Sequence, residues 1–395
     1  MAFPWLRGCR KLLKAAQNGG LPFLLATTCF ADPLPHSAYL WQRQWNEPVR
    51  AALTNAAPAL AEVVVLAAEI SRNQTVRISP DYSALRSTGK PYGIALRVGA
   101  DATATPEFAA ALLAGTGATE LQIDYDCAES KLDSYRSWLT AIRARVAPTP
   151  VTITALPSWL RQPSFSNLVS STDGFILQVH SFSATLCDTG LAARAVTQAA
   201  RCGVPFRVAL PTYGYVAAHD RNGKLIGISA EGPSRNWSPA AILSEVHADA
   251  PALATLVRGW DAQRPPSLRG ILWYRLPIAT DTLNWRWPTL ATIIAGDIPR
   301  PFLVAKHRSP QPGLVEVDLV NTGAADAYAN TAVVIRWHDA TLLACDGLAG
   351  YAISTRETNT LTFTGNPRLG PGERRMVGWL RFHESREVAC DIQLE

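Results

Sequence analysis

Leu121-Gln122-Ile123-Asp124-Tyr125-Asp126 runs straight into a segment with helical spacing. In an extended strand successive side chains point to opposite faces. Gln122, Asp124 and Asp126 therefore share one face, and Leu121, Ile123 and Tyr125 the other. Two acids and an amide on one side of an apolar strand are costly unless that side meets a solvated pocket or a hydrogen-bond network. The next segment, Lys131 to Val146, repeats Leu132, Tyr135, Leu139, Ile142 and Val146 at spacings of three and four, the stripe of an amphipathic helix. A strand that ends in carboxylates and leads into a packing helix predicts a β/α barrel with a site at its C-terminal mouth.

Working outward, eight short apolar runs read as strands: Ser37 to Trp45, Val63 to Ile70, Tyr92 to Val98, Glu120 to Asp126, Val151 to Leu156, Gly174 to Val179, Phe206 to Leu210 and Gly270 to Leu276. Segments with helical spacing lie between them, among them Thr105 to Ala114, Leu191 to Arg201 and Pro239 to Ala248. Eight strands alternating with helices suit a closed (β/α)8 TIM-type barrel over residues 36–298. No Gly-rich phosphate loop follows the first strand, which argues against a dinucleotide-binding sheet. Past Ile298-Pro299-Arg300-Pro301 the pattern changes. Leu314 to Val320 alternates strictly, Thr331 to Trp337 is β-branched, and Asn359 to Thr364 and Met376 to Phe382 follow between Gly-bearing turns. Residues 301–395 are therefore expected to form an all-β sandwich domain.

The chain has 395 residues, 48% hydrophobic and 17% charged, enough for about two globular domains. Its net charge of +5 comes mostly from Arg7, Arg10, Lys11 and Lys14; beyond residue 31 there are 33 basic against 32 acidic residues. That balance, without a basic patch interleaved with aromatics, argues against nucleic acid as a partner. The same four cations precede the apolar run Leu21 to Phe30, so residues 1–31 are expected to be a signal peptide or lipoprotein signal. Leu25-Ala26-Thr27-Thr28-Cys29 loosely matches a bacterial lipoprotein box, which would anchor the chain through a lipid on Cys29. The rival is an amphipathic N-terminal helix from Leu6 to Ala16 on a cytoplasmic protein. Five cysteines follow: Cys127, Cys187, Cys202, Cys345 and Cys390. Their number permits two disulfides and one free thiol, with Cys187–Cys202 and Cys345–Cys390 the pairs nearest in sequence. No two cysteines have ligand spacing and the histidines are scattered, so neither metal nor other cofactor is expected.

A β/α barrel carries its chemistry where strands end. Those positions hold Gln44, Trp45 and Glu47, then Glu69, then Arg97 and Asp101, then Gln122, Asp124 and Asp126. The later strands add Trp159, Gln178, His180, Tyr213, Trp273, Tyr274 and Arg275. Acids, amides and aromatic rings in one mouth suit a saccharide, because rings stack on the apolar face of a pyranose while acids and amides bind hydroxyls. Glu69, Gln122, Trp159, Gln178, His180, Tyr213 and Trp273 are the candidate ligand-binding residues. For Trp159 and Trp273 core packing is an equal alternative. For His180, a structural hydrogen-bonding role stands beside that of base or hydroxyl ligand. Cys127 points away from the acids and reads as packing.

Four blocks resemble the family 18 glycoside hydrolases, the chitinase-like barrels. Leu121 to Asp126 resembles their fourth strand, Gly174-Phe175-Ile176-Leu177-Gln178-Val179 the sixth, Ala209-Leu210-Pro211-Thr212-Tyr213-Gly214 the seventh and Gly270-Ile271-Leu272-Trp273-Tyr274 the eighth. Residues from about 36 to 290 also resemble an uncharacterised bacterial family, domain of unknown function 3142. The matching blocks are Pro35 to Trp41, Leu121 to Cys127, Leu156-Pro157-Ser158-Trp159-Leu160 and Gln178-Val179-His180. The chitinase resemblance implies a proton donor at the end of strand four. That family reads Asp, Asp, Glu on alternate positions, which places Gln122, Asp124 and Asp126 there; a shift of two would put Ala128 at the donor. Gln178 and His180 replace the Tyr-Asp pair of the sixth strand. On this mapping Asp126 is the candidate general acid and Asp124 its orienting partner. A two-carboxylate mechanism would draw its second acid from Glu69 or Asp101. The expectation is an exported, periplasmic or envelope-associated glycoside hydrolase-like barrel acting on an envelope or extracellular polysaccharide. The alternative is a non-catalytic carbohydrate-binding or structural envelope protein on a degenerate glycosidase barrel.

Overall fold

The computed structural model describes residues 32–180, 185–230, 236–328, 330–366 and 368–395. Residues 1–31, where the export signal is expected, lie outside them. Eight strands form the core: β1 (His36–Leu40), β2 (Glu62–Ser71), β3 (Tyr92–Val98), β4 (Glu120–Tyr125), β5 (Val151–Ala155), β6 (Phe175–Gln178), β7 (Phe206–Pro211) and β8 (Leu268–Tyr274). Each pairs in parallel with the next. The ring closes because β1 lies between β2 and β8, with Ala38 opposite both Val63 and Trp273. A helix follows every strand, at Glu47–Ala56, Tyr82–Ser87, Pro106–Leu113, Leu132–Val146, Pro163–Val169, Thr189–Ala200, Ala250–Ala262 and Trp287–Ile294. This is a closed TIM-type barrel, and the eight expected strands are its eight strands.

Local chemistry explains where the helices begin. Asn46, Asp81, Thr105, Asp188 and Asp249 each stand at an N-cap, where the side chain accepts from a first-turn backbone N–H. The Leu132–Val146 helix buries Leu132, Tyr135, Leu139, Ile142 and Val146 against the strands, the stripe read from its spacing. Inside the barrel the inward side chains form layers. At the closed end Arg207 is bonded to Glu62 and Glu120, and Thr152 donates to Glu120. Burial, opposed by Arg207 and reinforced by the charge of Glu120, pushes the Glu62 carboxyl up to about 7. Above them Tyr39, Val64, Ala95, Ile176, Ala209 and Leu272 pack into an apolar plug. The side chains above that plug face the mouth.

One segment departs from its sequence pattern. Pro239 to Ala248 has helical spacing, yet Ile242–His247 is a strand. It pairs antiparallel with Gly214–His219, whose other neighbour is Leu225–Ser229, in a three-stranded sheet inserted after β7. Ile242 and Leu243 are exposed, so no apolar stripe is buried to favour a helix there, and the ladder satisfies the backbone instead. The five cysteines after residue 31 are free thiols, so neither nearest-neighbour pairing is formed.

The C-terminal region is all-β. One four-stranded antiparallel sheet contains Leu303–Gln311, Leu314–Asn321, Arg374–Phe382 and Leu342–Gly347; the other contains Ala352–Glu357, Thr360–Gly365, Thr331–Trp337 and Cys390–Leu394. Val315, Val317, Val377 and Leu380 from the first share a core with Val333, Ile335, Leu361 and Phe363 from the second, which makes a sandwich. The sandwich meets the barrel through Arg286–Glu373 at 3.0 Å and through Arg368, whose Nη1 donates to the Thr282 carbonyl at 2.6 Å.

Closure of the ring leaves no room at Gly270. A Cβ there would stand 2.7 Å from the Pro35 carbonyl oxygen, on the seam between β1 and β8. Gly270→Ala is expected to destabilise the fold by about 1–3 kcal/mol, the usual range for overpacking. Chemical denaturation should show a lower midpoint with an unchanged slope.

Candidate functional site

The C-terminal ends of the strands surround a cavity of ≈ 570 Å³. Its size and mixture of aromatic and charged walls fit a small-molecule or oligomer subsite. Strand parity, together with a register shift between Leu66 and Ala68 that turns Glu69 inward, decides which side chains reach it. From β1 and its extension come Tyr39, Trp41 and Arg43; from β2, Glu69; from β3, Arg97; from β4, Asp124 and Asp126. Thr154, Leu156, Gln178, His180, Tyr213, Tyr274 and Arg275 complete most of the wall.

Asp124 is buried at the floor. Thr154 Oγ1 donates to its Oδ1 at 2.8 Å, and Arg97 Nη1 donates to its Oδ2 at 3.2 Å. Burial raises its pKa above the usual carboxylate range, against the pull of Arg97 and with the help of the nearby Asp126 charge. Asp126 stands two residues on, exposed at the mouth, with no ion-pair or hydrogen-bond partner among the described residues. Glu69 is differently placed. Arg43 grips both of its oxygens, Nε to Oε2 at 2.6 Å and Nη2 to Oε1 at 3.0 Å. Across the cavity Arg275 Nη2 donates to Asp281 at 2.7 Å.

The apolar wall is a connected set of rings. Trp41 packs edge-on against Tyr39 at 5.2 Å and against Tyr274 at 5.5 Å; Tyr213 meets Tyr274 edge-on at 5.6 Å. His180 stacks on Tyr274 and its Nδ1 lies 3.2 Å from the Tyr213 hydroxyl. Burial lowers His180 to about 4, so it is a neutral hydrogen-bonding ring at ordinary pH. Burial likewise pushes the Tyr274 hydroxyl up to about 12, opposed by Arg97. Among the described residues no three His, Cys, Asp or Glu side chains converge in a way that could hold a metal ion.

Of the residues singled out from sequence, Glu69, Arg97, Asp124, Asp126, Gln178, His180, Tyr213, Tyr274 and Arg275 come together here. Gln122 lies beneath the floor, fully buried, and accepts from the Tyr39 hydroxyl at 2.7 Å. Trp159 and Trp273 do not reach the cavity. Trp159 is buried in the turn Pro157–Arg161 against Tyr135 and Phe165, and Trp273 is stacked on His36, with its Nε1 donating to the imidazole Nδ1 at 3.0 Å. On β8, adjacent residues face opposite ways, so an inward Tyr274 requires an outward Trp273. Asp101 sits on another surface beside Lys131 at 3.8 Å. Gln44, Trp45 and Glu47 fall beyond the end of β1, Glu47 in the first turn of a helix. Trp41 and Arg43 were missed; the signal was their shared parity with Tyr39.

Comparison with known proteins agrees with this architecture. Residues 102–279 match the family Domain of unknown function (DUF3142), a stretch that spans β4 through β8 and most of the cavity wall. Residues 304–383, within the sandwich, match a second family, Domain of unknown function (DUF8456). No curated protein matches the chain. Among solved structures, the Bacillus cereus spore cortex-lytic enzyme SleL is 9% identical, covers 67% of this chain and 74% of its own, and superposes with a TM-score of 0.50. A family GH18 chitinase from Chromobacterium violaceum is 10% identical over 92% of this chain and 90% of its own, with a TM-score of 0.46. At 9% identity the likeness to the spore cortex-lytic enzyme is one of fold, the closed barrel described above.

His180 supplies a pH test of the site. Its folded-state pKa lies below the ordinary histidine value of about 6.5, so the folded chain resists protonating it. The associated stability is present above about 6.5 and is lost as pH falls toward 4. Imidazole nitrogen shifts of His180 should stay those of the neutral ring from pH 8 to 5; titration near 6.5 would contradict the buried placement.

Proposed function

We propose that this chain is a saccharide-active barrel of glycoside hydrolase type, with Asp126 delivering a proton to the leaving oxygen of a glycosidic bond. The observation that carries the reading is the position of Asp126. It is the cavity carboxylate with no ion-pair or hydrogen-bond partner among the described residues, at the mouth and opposite a wall of aromatic rings. A general acid must be within hydrogen-bond reach of the atom it protonates, and an exposed carboxyl on the cavity rim meets that need. Asp124, two positions deeper, has a different task. Held by Thr154 and Arg97, it is fixed in orientation, and burial together with the charge of Asp126 raises its pKa against the pull of Arg97. Trp41 and Tyr274 supply flat apolar surface for a pyranose ring, and Gln178 with the neutral His180 supplies hydroxyl partners.

A second reading rests on Glu69. The conventional two-carboxylate scheme needs another acid or base across the cleft. Glu69 is clamped by Arg43 and Asp101 is elsewhere, so among the described residues no second unpaired carboxylate lines the cavity. That arrangement favours either a substrate whose own group assists the reaction or a barrel that binds glycan without cleaving it. The spacing of cations and apolar residues before residue 32 supports export to the envelope, where such polymers lie. Mass spectrometry of the protein from its native cell should then find residues 1–31 removed, or a lipid on Cys29.

The discriminating experiment is a screen for new reducing ends on envelope and extracellular polysaccharides, with wild type and Asp126→Asn. If the chain is a hydrolase, the variant loses about 10²–10⁴-fold in turnover, the usual weight of general acid catalysis, while its affinity for the glycan is nearly kept. Undiminished turnover would remove Asp126 from the mechanism. Binding without turnover in the wild type would establish the second reading.

A further inference from the structure

Three guanidinium groups line the cavity, and two of them already hold a carboxylate in a close pair, although the Arg43 side chain stays 66% exposed. Arg43 is engaged through two donors by Glu69, and Arg275 is turned back onto Asp281 with only 15% of its side chain exposed. Arg97 is different. Its side chain is 44% exposed although it stands on a strand of the closed barrel wall. One of its five N–H donors is used, in a 3.2 Å bond to Asp124 that is long for a charge-assisted pair. Asp124 is 8% exposed and lies beneath it, so the unused edge of the guanidinium faces the open cavity.

We infer that Arg97 is a specificity residue for a carboxylate substituent on the saccharide, so that the ligand is an acidic glycan carrying a uronate or an ether-linked carboxylate. This rests on the saccharide reading above and narrows its substrate class. The planar fork of arginine matches the two oxygens of a carboxylate and is always charged. The wall around it tolerates a negative group. Glu69 is neutralised by Arg43 and Asp281 by Arg275, which leaves Arg97 as the cavity guanidinium with most of its donors unused. A hydroxymethyl in place of the carboxylate would leave that edge of Arg97 to water alone. The low-dielectric aromatic wall strengthens the contact relative to bulk solvent.

The test is calorimetric binding of matched ligand pairs to the full-length protein. The probes are tetrasaccharides of alginate, of pectate and of an alternating glucuronate–hexosamine glycan, each beside its carboxyl-reduced counterpart of identical linkage. The acidic member of at least one pair should bind about tenfold or more tightly, the weight of a hydrogen bond to a charged group, and the preference should shrink with added salt. Arg97→Gln should abolish the preference and Arg97→Lys should keep part of it. Equal affinity of both members of every pair that binds would overturn the inference while leaving the saccharide reading intact. Binding of no saccharide at all would overturn both. The wild-type comparison decides even if a substitution at position 97 fails to fold.

Discussion

A closed parallel barrel sends every second side chain of every strand into an interior with one usable opening. The rest of this structure follows from how that interior is filled. At the closed end a buried Arg207 is satisfied by Glu62 and Glu120. In the middle an apolar layer formed by Tyr39, Val64, Ala95, Ile176, Ala209 and Leu272 excludes water. Gln122 is the one amide set among them, and Tyr39 satisfies its carbonyl oxygen. What remains above that layer is held by residues further along the same strands: Trp41, Arg97, Gln178 and Tyr274 follow plug residues by two, and a register shift on β2 turns Glu69 inward. The position of the acids is therefore a consequence of closure and parity, set before any consideration of ligand.

Burial then differentiates two aspartates that are chemically identical. Asp124 is sunk at the floor, where loss of water outweighs the attraction of Arg97 and its carboxyl keeps a proton more readily. Asp126 is one pleat higher and open to the mouth. The end of one strand thus presents an anchored carboxyl and, just beyond it, an exposed one. The aromatic groups divide in the same way. Trp41 and Tyr274 face the cavity, whereas Trp273 and Trp159 secure the outer packing on which the strand ends rest.

Much of the fold was legible because parallel strands covered on both faces read as continuous apolar runs, and the helices between them carry clean stripes such as Leu132 to Val146. Alternation on Leu314 to Val320 revealed the sandwich for the converse reason, because that strand packs one face, Val315, Val317 and Leu319, into the core. What was hidden has physical causes. The inserted sheet ending in Ile242–His247 is exposed, so its residues carry no burial period to read. On β8, Trp273 and Tyr274 are neighbours, and only the register shows which of the two faces inward. The grip of Arg43 on Glu69 joins β2 to the loop beyond β1, a long-range pairing that spacing does not encode. Strand one ends at Leu40, before the helix capped by Asn46, which removed Gln44, Trp45 and Glu47 from the wall and left Trp41 and Arg43 in their place.

The central claim is that the mouth of this barrel is a saccharide site whose reacting carboxyl is Asp126. A crystal structure of Asp126→Asn with bound oligosaccharide tests it most directly. The account predicts a pyranose ring lying on Trp41 and Tyr274, with a glycosidic oxygen within about 3.2 Å of the side chain at position 126. A glycan seated elsewhere on the molecule, or one in the cavity with its linkages remote from position 126, would contradict it.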